Sequence, residues 1–115
     1  MSENGEVIDM GETIYNLAFD FGASSGRMIL SKFENGKIEL EELHRFSNDP
    51  VRIGKNFYWD TFRLYHELKQ GLKKAAAKKI PIQSLAIDTW GVDYALIDKD
   101  GNVIGNPINY RDDRT

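Results

Sequence analysis

One pattern occurs twice in the chain: a run of apolar, β-prone residues that leads to an aspartate. The first run covers residues 14–21 and contains Asp20, and the second covers residues 82–88 and ends at Asp88. Each run has the length and content of a buried strand. Strands of one sheet that end in acidic loops at the same edge face one crevice, which is the usual ligand position in open α/β sheets. The repeat therefore predicts one shared site for the two aspartates.

The first third of the chain predicts a three-stranded antiparallel meander. Residues 27–33 and 38–46 have the β-prone content of two further strands. Asn35-Gly36 between them suits a type I′ turn, because both central residues of that turn need positive φ. Residues 47–59 then predict an irregular connection.

A single long helix is predicted between the two aspartate strands. Asp60 can cap a helix over residues 61–79, and Pro81 stops it. Its apolar positions recur at threes and fours, which predicts one buried stripe. The members of that stripe are Phe62, Tyr65, Leu68, Leu72, Ala75 and Ala76.

The order of these elements favours an α/β fold with a mixed sheet. After the second aspartate, the sequence predicts a strand over residues 92–97, a turn over 98–101 and a short strand at 103–104. One helix covers only one face of such a sheet, so we expect more chain or a partner on the other face. Residues 1–13 predict a flexible tail, and residues 14–115 predict an incomplete single domain.

The composition limits the classes of partner. The 115 residues carry a formal net charge of -3, which gives no reason to expect nucleic acid or a membrane surface as a partner. The chain has no cysteine, which fits a reducing compartment. The first ten residues lack the basic and apolar regions of a signal peptide, and no apolar run approaches the roughly 18 residues of a membrane helix. We therefore expect a protein of the cytoplasm.

A loop of small residues, Gly-Ala-Ser-Ser-Gly at residues 22–26, follows Asp20. Small residues let backbone amides approach an anion, and serine hydroxyls add donors. The Walker and dinucleotide glycine patterns do not match, because both open a helix whereas this loop returns as a strand. Asp20 would repel a phosphate unless a divalent cation lies between them, so the carboxylate implies a metal such as Mg²⁺. The alternative is a plain hairpin turn, which the residue types fit equally well. The length of the loop and the second aspartate favour the anion site.

Aromatic and charged residues elsewhere leave two interpretations open. Trp-Gly at residues 90–91 offers an aromatic face and a bare backbone to a sugar, or the tryptophan is simply buried under a loop. Tyr-Trp at residues 58–59 predicts a structural cluster before the helix. His44 and His66 have no partner at a spacing typical of a ligand set, and residues 111–114 either bind a polar substrate or are solvated.

Three motifs, in this order, resemble the FGGY carbohydrate kinases and, among them, the rhamnulokinases. The motifs are Asp-Phe-Gly-Ala-Ser-Ser-Gly-Arg at residues 20–27, Ile-Asp-Thr-Trp-Gly-Val-Asp at 87–93 and Tyr-Arg-Asp-Asp-Arg-Thr at 110–115. The match runs from about residue 15 to the end of the sequence. The resemblance implies the ribonuclease H-like fold of actin and hexokinase, with this chain as part of the first of two actin-like domains.

The resemblance also implies a reaction, the ATP-dependent phosphorylation of L-rhamnulose at its 1-hydroxyl in rhamnose catabolism, with Mg²⁺. It assigns Asp20 to the metal, and Trp90 and Gly91 to the sugar. The aspartate base of the family lies outside these residues, so we expect no catalytic residue in this chain and no activity from it alone. A kinase of another ketose or polyol and a non-catalytic actin-like ATP-binding module are the alternatives, and the oligomeric state stays open. The residues assigned to the ATP phosphates are Ala23, Ser24, Ser25, Gly26 and Arg27.

Overall fold

A computed structural model describes residues 12–113, which form a mixed sheet with one helix packed on it. The elements are β1 (Ile14–Phe21), β2 (Ser25–Glu34), β3 (Lys37–Ser47), β4 (Val51–Ile53), β5 (Asn56–Tyr58), α1 (Thr61–Ala77) and β6 (Ile82–Thr89). The main sheet has the order β3-β2-β1-β6, in which β1 runs antiparallel to β2 and parallel to β6. The expected mixed sheet that begins with an antiparallel meander is therefore confirmed. The tail expected at residues 1–13 lies almost wholly outside the described residues and stays a prediction.

The turn between β2 and β3 has the expected geometry. Asn35 and Gly36 have φ values of 54° and 76°, the positive values that a type I′ turn needs. Residues 47–59 were expected to be irregular, and that expectation is wrong. They contain the β4–β5 hairpin, whose turn includes Gly54 at a φ of 61°. Strands of three residues are too short to give a periodic signal.

Helix α1 starts where the sequence predicts and ends two residues earlier. The Asp60 carboxylate accepts a hydrogen bond from the Arg63 amide at 3.1 Å, which confirms the cap. The predicted stripe is partly wrong, because Phe62 and Tyr65 are 77% and 62% exposed. The helix instead buries Glu67, Gly71 and Ala75.

Gly71 explains this rotation of the helix. A Cβ added at Gly71 would lie 3.1 Å from Phe19 Cε1 and 3.2 Å from Met28 Cε. The absence of a side chain therefore lets the helix backbone approach the sheet closely. A search for apolar residues at helical spacing overlooks a glycine that packs in this way.

The core lies between α1 and the central strands. Leu17, Phe19, Met28, Leu30 and Ala75 are its buried members. Because side chains alternate along a strand, Asp20 and its partners in register, Arg27 and Asp88, lie on the opposite face of the sheet.

The chain after β6 is irregular. The strand expected over residues 92–97 is wrong, because the only ladder contact there within the described residues is a bridge between Ile97 and Val103. Val92 has a φ of 69°, which is incompatible with a strand and uncommon for a β-branched residue. Asp98 stabilises the following turn by accepting hydrogen bonds from the Asp100 and Asn102 amides at 2.9 Å and 2.8 Å. Within residues 12–113, no helix combines the length and apolar character needed to cross a membrane.

Candidate functional site

The two aspartates that end the repeated strands lie side by side. In the parallel pairing of β1 with β6, Asp20 is in register with Asp88, and Phe21 is in register with Thr89. The loop after β1 and the segment after β6 therefore leave the sheet at the same edge. This edge carries every residue that the motifs assign to nucleotide, metal or sugar, and it is the usual position for a ligand in an open α/β sheet.

The small-residue loop is a tight turn with unused donors. The Gly22 amide donates to the Ser25 carbonyl at 2.9 Å, which closes the turn. In the described part of the chain, the Ala23 and Ser24 amides donate to no protein acceptor. Adjacent amides without a protein partner in a tight turn suit an anion. The Ser24 side chain is exposed beside them.

Arg27 lies beside the loop and is held by two partners. Its Nη1 donates to Asp20 Oδ2 at 2.5 Å, and its Nη2 donates to Ser25 Oγ at 2.9 Å. Its Nε is buried without a hydrogen-bond partner among the described residues. The guanidinium is therefore fixed next to the loop, and a donor remains unused.

Gly26 has a packing role in this structure. A Cβ on Gly26 would lie 2.3 Å from Cζ of Phe46, closer than any real contact. The Phe46 ring also packs edge-on against Phe21, with the ring centroids 5.8 Å apart. The absence of a side chain at Gly26 therefore lets the Phe46 ring of β3 pack against the start of β2.

The carboxylates at this edge suit a cation that also takes ligands from water and phosphate. Among residues 12–113, no group of three or more acidic or histidine side chains lies close enough to hold a metal ion. Asp20 is half exposed, and Asp88 is its exposed neighbour in register. Mg²⁺ is commonly bound by one or two carboxylates together with water and substrate phosphates. The donor set present therefore fits Mg²⁺ bound with a nucleotide and does not fit a metal held by protein ligands alone.

Trp90 stacks on a second tryptophan. Its ring centroid lies 4.1 Å from that of Trp59, which is buried, so the expected structural role of Trp59 is confirmed. Trp59 Nε1 donates to Asp93 Oδ2 at 2.5 Å, and the Tyr110 amide donates to the same oxygen at 3.2 Å. One face of Trp90 is therefore occupied by protein. Gly91 is exposed, and a Cβ there would meet nothing within 4 Å.

A cavity of about 200 Å³ lies beside the tryptophan pair, lined in part by Trp59, Trp90, Thr89 and Asp93. Its walls combine aromatic carbon with a carboxylate and a hydroxyl, a mixture typical of small-molecule pockets. Asp93 could not be recognised from sequence as the partner of Trp59, because the two residues are 34 positions apart in the chain.

His44 lies in β3 and has partners that the sequence spacing did not reveal. Its Nε2 lies 2.7 Å from Glu67 Oε1, and Lys74 Nζ lies 2.9 Å from its Nδ1. Burial raises the pKa of Glu67, but hydrogen bonds from His44 and Arg63 and the charge of Arg63 outweigh it and leave that pKa below its ordinary value. This network around the buried Glu67 joins α1 to β3. His66 is exposed, as expected.

The residues near the end of the chain divide into structural and exposed groups. Asp112 is buried and accepts a hydrogen bond from the Phe57 amide at 2.5 Å, so it stabilises the β4–β5 hairpin. The Arg111 guanidinium lies 4.8 Å from the centroid of the Tyr110 ring. Asp113 is exposed, and Arg114 lies outside the described residues.

Comparison with known proteins identifies relatives over most of the chain. No model of a known protein family matches the chain. A rhamnulokinase of Bacteroides thetaiotaomicron is 48% identical over 98 residues, which are 85% of this chain and 20% of that protein. Rhamnulokinases of Klebsiella pneumoniae strain 342 and Mannheimia succiniciproducens are 46% and 47% identical over 86% and 90% of this chain.

A solved structure supports the fold. The crystal structure of gluconate kinase from Lactobacillus acidophilus matches 88% of this chain and 20% of its own, with a TM-score of 0.69 and 14% identity. At that identity the match concerns the fold alone, and it confirms the expected actin-like, ribonuclease H-like architecture. The resemblance to the rhamnulokinases is likewise confirmed: the chain is a relative of the N-terminal part of these carbohydrate kinases and spans about a fifth of their length.

Proposed function

We propose that this chain forms the nucleotide-phosphate side of an ATP-dependent carbohydrate kinase that phosphorylates L-rhamnulose at its 1-hydroxyl, in rhamnose catabolism. The observation that carries the proposal is the loop at residues 22–26, where the Ala23 and Ser24 amides have no protein acceptor within the described residues. The loop lies beside two aspartates in register at one sheet edge. The names of the relatives supply the sugar.

On the phosphate side, each group has a separate task. The free amides and the hydroxyls of Ser24 and Ser25 donate hydrogen bonds to phosphate oxygens, and fixed donors stabilise charge without reorganisation. Arg27 adds a positive charge whose position is fixed by Asp20 and Ser25. Charge-assisted hydrogen bonds of this kind are about twice as strong as neutral ones.

Asp20, with Asp88 as its neighbour, would hold Mg²⁺ through oxygen atoms. The ion would supply positive charge beside the phosphates, and it would remove the repulsion between them and the carboxylates. Arg27 already neutralises part of the charge on Asp20 at a distance of 2.5 Å. The protein groups alone therefore keep the edge from being strongly negative.

On the sugar side, we propose contacts from Trp90 and Gly91. The stack on Trp59 fixes one face of Trp90, and Asp93 fixes Trp59, so the segment is ordered before a ligand arrives. Gly91 offers backbone without a side chain, which lets a sugar hydroxyl approach closely.

Phosphoryl transfer depends on positioning and charge neutralisation around the whole phosphate. The chain spans about a fifth of the relatives it matches, and we propose that it binds ATP weakly without turnover when alone. The compartment we propose is the cytoplasm, because the chain has no cysteine.

The test is a substrate panel on the protein that carries this chain. ADP formation is measured with L-rhamnulose, L-fuculose, D-xylulose and glycerol, and we expect the highest kcat/KM for L-rhamnulose. A higher value for another sugar would assign the protein to that sugar instead. ATP binding with no sugar-dependent ADP would mean a non-catalytic ATP-binding module. In parallel, rhamnulose-dependent ADP formation by the 115-residue chain alone would contradict the proposed division of labour.

A further inference from the structure

A buried asparagine outside the three sequence motifs bonds to two carbonyl groups of the small-residue loop at residues 22–26. Asn48 Nδ2 donates to the Gly22 carbonyl at 2.9 Å, and the Asn48 amide donates to the Ser24 carbonyl at 3.0 Å. Asn48 is 3% exposed, although asparagine is usually a surface residue. Its backbone N–H and one N–H of its side-chain amide are therefore bonded to the loop.

The register of the sheet places Asn48 at the loop. β2 and β3 pair as far as Ser25 with Ser47, so Asn48 is the first residue beyond the ladder on the side of the loop. The Phe46 ring packs against Gly26 and Phe21, which fixes the end of β3. A residue in this position can reach the loop carbonyls without any movement of the strands.

The contact with Gly22 determines where the next amide points. Peptide bonds are planar and, in the described residues, none is cis, so the carbonyl of Gly22 and the amide of Ala23 point in opposite directions. Since Asn48 holds the Gly22 carbonyl on its own side, the Ala23 N–H is turned to the other side. That amide has no protein acceptor among residues 12–113.

We propose that Asn48 is the positioning residue of the phosphate loop: its two amide groups fix the Gly22 and Ser24 carbonyls and thereby aim the Ala23 amide at a phosphate of ATP. This inference rests on the proposed function for its ligand. In this role Asn48 acts through the loop carbonyls and needs no contact of its own with the ligand. Without its side-chain donor, the Gly22 carbonyl loses its protein partner, and the peptide between Gly22 and Ala23 is free to rotate.

The test compares two substitutions in the full chain with a matched control. Asn48→Asp keeps the size of the side chain and removes the donor, and Asn48→Ala removes the donor without adding charge. Asn56→Asp makes the same change in charge at an asparagine whose Nδ2 donates to Tyr58 Oη at 3.3 Å, in the separate β4–β5 hairpin. Amide exchange and ATP affinity are both measured by NMR, with Mg²⁺ and ATP as the probe.

We expect both Asn48 variants to raise the exchange rate of the Gly22 amide and to weaken ATP binding by about tenfold, as expected for loss of a buried hydrogen-bond partner. The amides of the core strands and the Asn56→Asp control should exchange at wild-type rates. In the wild type, the Asn48 side-chain amide protons should exchange more slowly than those of Asn56.

Several results would overturn the inference. If Asn48→Ala binds ATP as the wild type does and only Asn48→Asp is weakened, charge and not positioning is responsible. Wild-type exchange at Gly22 in both variants would also contradict it, as would free exchange of the Asn48 side-chain protons in the wild type. If the wild type fails to bind ATP, the proposed function is refuted, and so is the claim that the Ala23 amide is aimed at a phosphate. The exchange data would still decide whether Asn48 fixes the loop.

Discussion

Adding one methyl group at Gly26 should destabilise the fold by a predictable amount. The new Cβ would lie 2.3 Å, 2.6 Å and 3.0 Å from three carbons of the Phe46 ring. Carbon atoms in contact lie about 3.5–4.0 Å apart, so the ring must move by more than about 1 Å. The ring is 7% exposed and is flanked by Phe21 and His44, with ring centroids 5.8 Å and 5.9 Å away. It therefore has little room to move.

The expected cost follows from two opposing effects. Overpacking a core costs about 1–3 kcal/mol. Replacing glycine with alanine restricts the unfolded chain, which returns about 0.4–1 kcal/mol where the backbone allows alanine. The backbone at Gly26 is not in the positive-φ region, so the net loss for Gly26→Ala is about 1–2 kcal/mol. With a urea m-value of about 1–2 kcal/mol/M, the midpoint of unfolding should fall by about 1 M.

Urea unfolding followed by circular dichroism measures this cost, with two further variants. Phe46→Leu makes room for the methyl group, so Gly26→Ala should cost little in that background, with a coupling energy of about 1 kcal/mol or more. Gly91→Ala is the matched control, because its Cβ meets nothing within 4 Å. If Gly26→Ala is as stable as the wild type, or costs the same with and without the Phe46 ring, the packing argument is refuted.

Three further outcomes follow from other contacts. Because the pKa of Glu67 is lowered from its ordinary 4.5, the carboxylate stabilises the fold above pH 4.5, and this contribution is lost as pH falls through the lower folded pKa. Glu67→Gln should therefore reduce the loss of folding stability measured between pH 7 and pH 3. An unchanged loss would argue against the His44 and Arg63 contacts. Gly71→Leu should lower the free energy of unfolding by about 1–3 kcal/mol in the same urea assay. Gly71→Ala should stay near the wild type, because a gain of about 1 kcal/mol in helix propensity offsets a close contact that the flexible Met28 side chain can relieve. Equal stability of the two variants would refute the close approach of α1. Asp93→Ala should change the wavelength of tryptophan emission, because Trp59 loses its carboxylate partner; Asp113→Ala is an exposed control, and identical spectra would contradict the Trp59–Asp93 bond.

The parts of the fold that local sequence determines were predicted, and the parts that depend on distant contacts were not. Asn35-Gly36 and Asp60 act through their own backbone neighbours, so the turn and the helix cap could be predicted. Residues 92–97 have the apolar content of a strand, but apart from the bridge at Ile97 nothing pairs with them in the described chain. Such content shows that a segment can pair, not that a partner is present.

The candidate site divides in the same way. The shared position of the loop and the two aspartates could be predicted, because the loop is longer than a plain hairpin needs and because the strand that leads to an aspartate recurs. Asn48 and Asp93 could not, since each acts on a residue more than twenty positions away: Asn48 on Gly22, and Asp93 on Trp59. Their positions depend on strand register and on the path of the chain after β6, which a single sequence does not encode locally.

An NMR titration of the isotopically labelled chain with ATP and Mg²⁺ tests whether this sheet edge binds nucleotide phosphate. The largest amide shifts should occur at Ala23 and Ser24, with smaller shifts at Arg27 and Asp88, and the turn at residues 98–102 should not respond. Inorganic triphosphate should reproduce the shifts of the loop, because the phosphates carry the contact. Shifts centred on the lysines of α1, or none in the loop at saturating ATP, would contradict the assignment of this edge to the nucleotide.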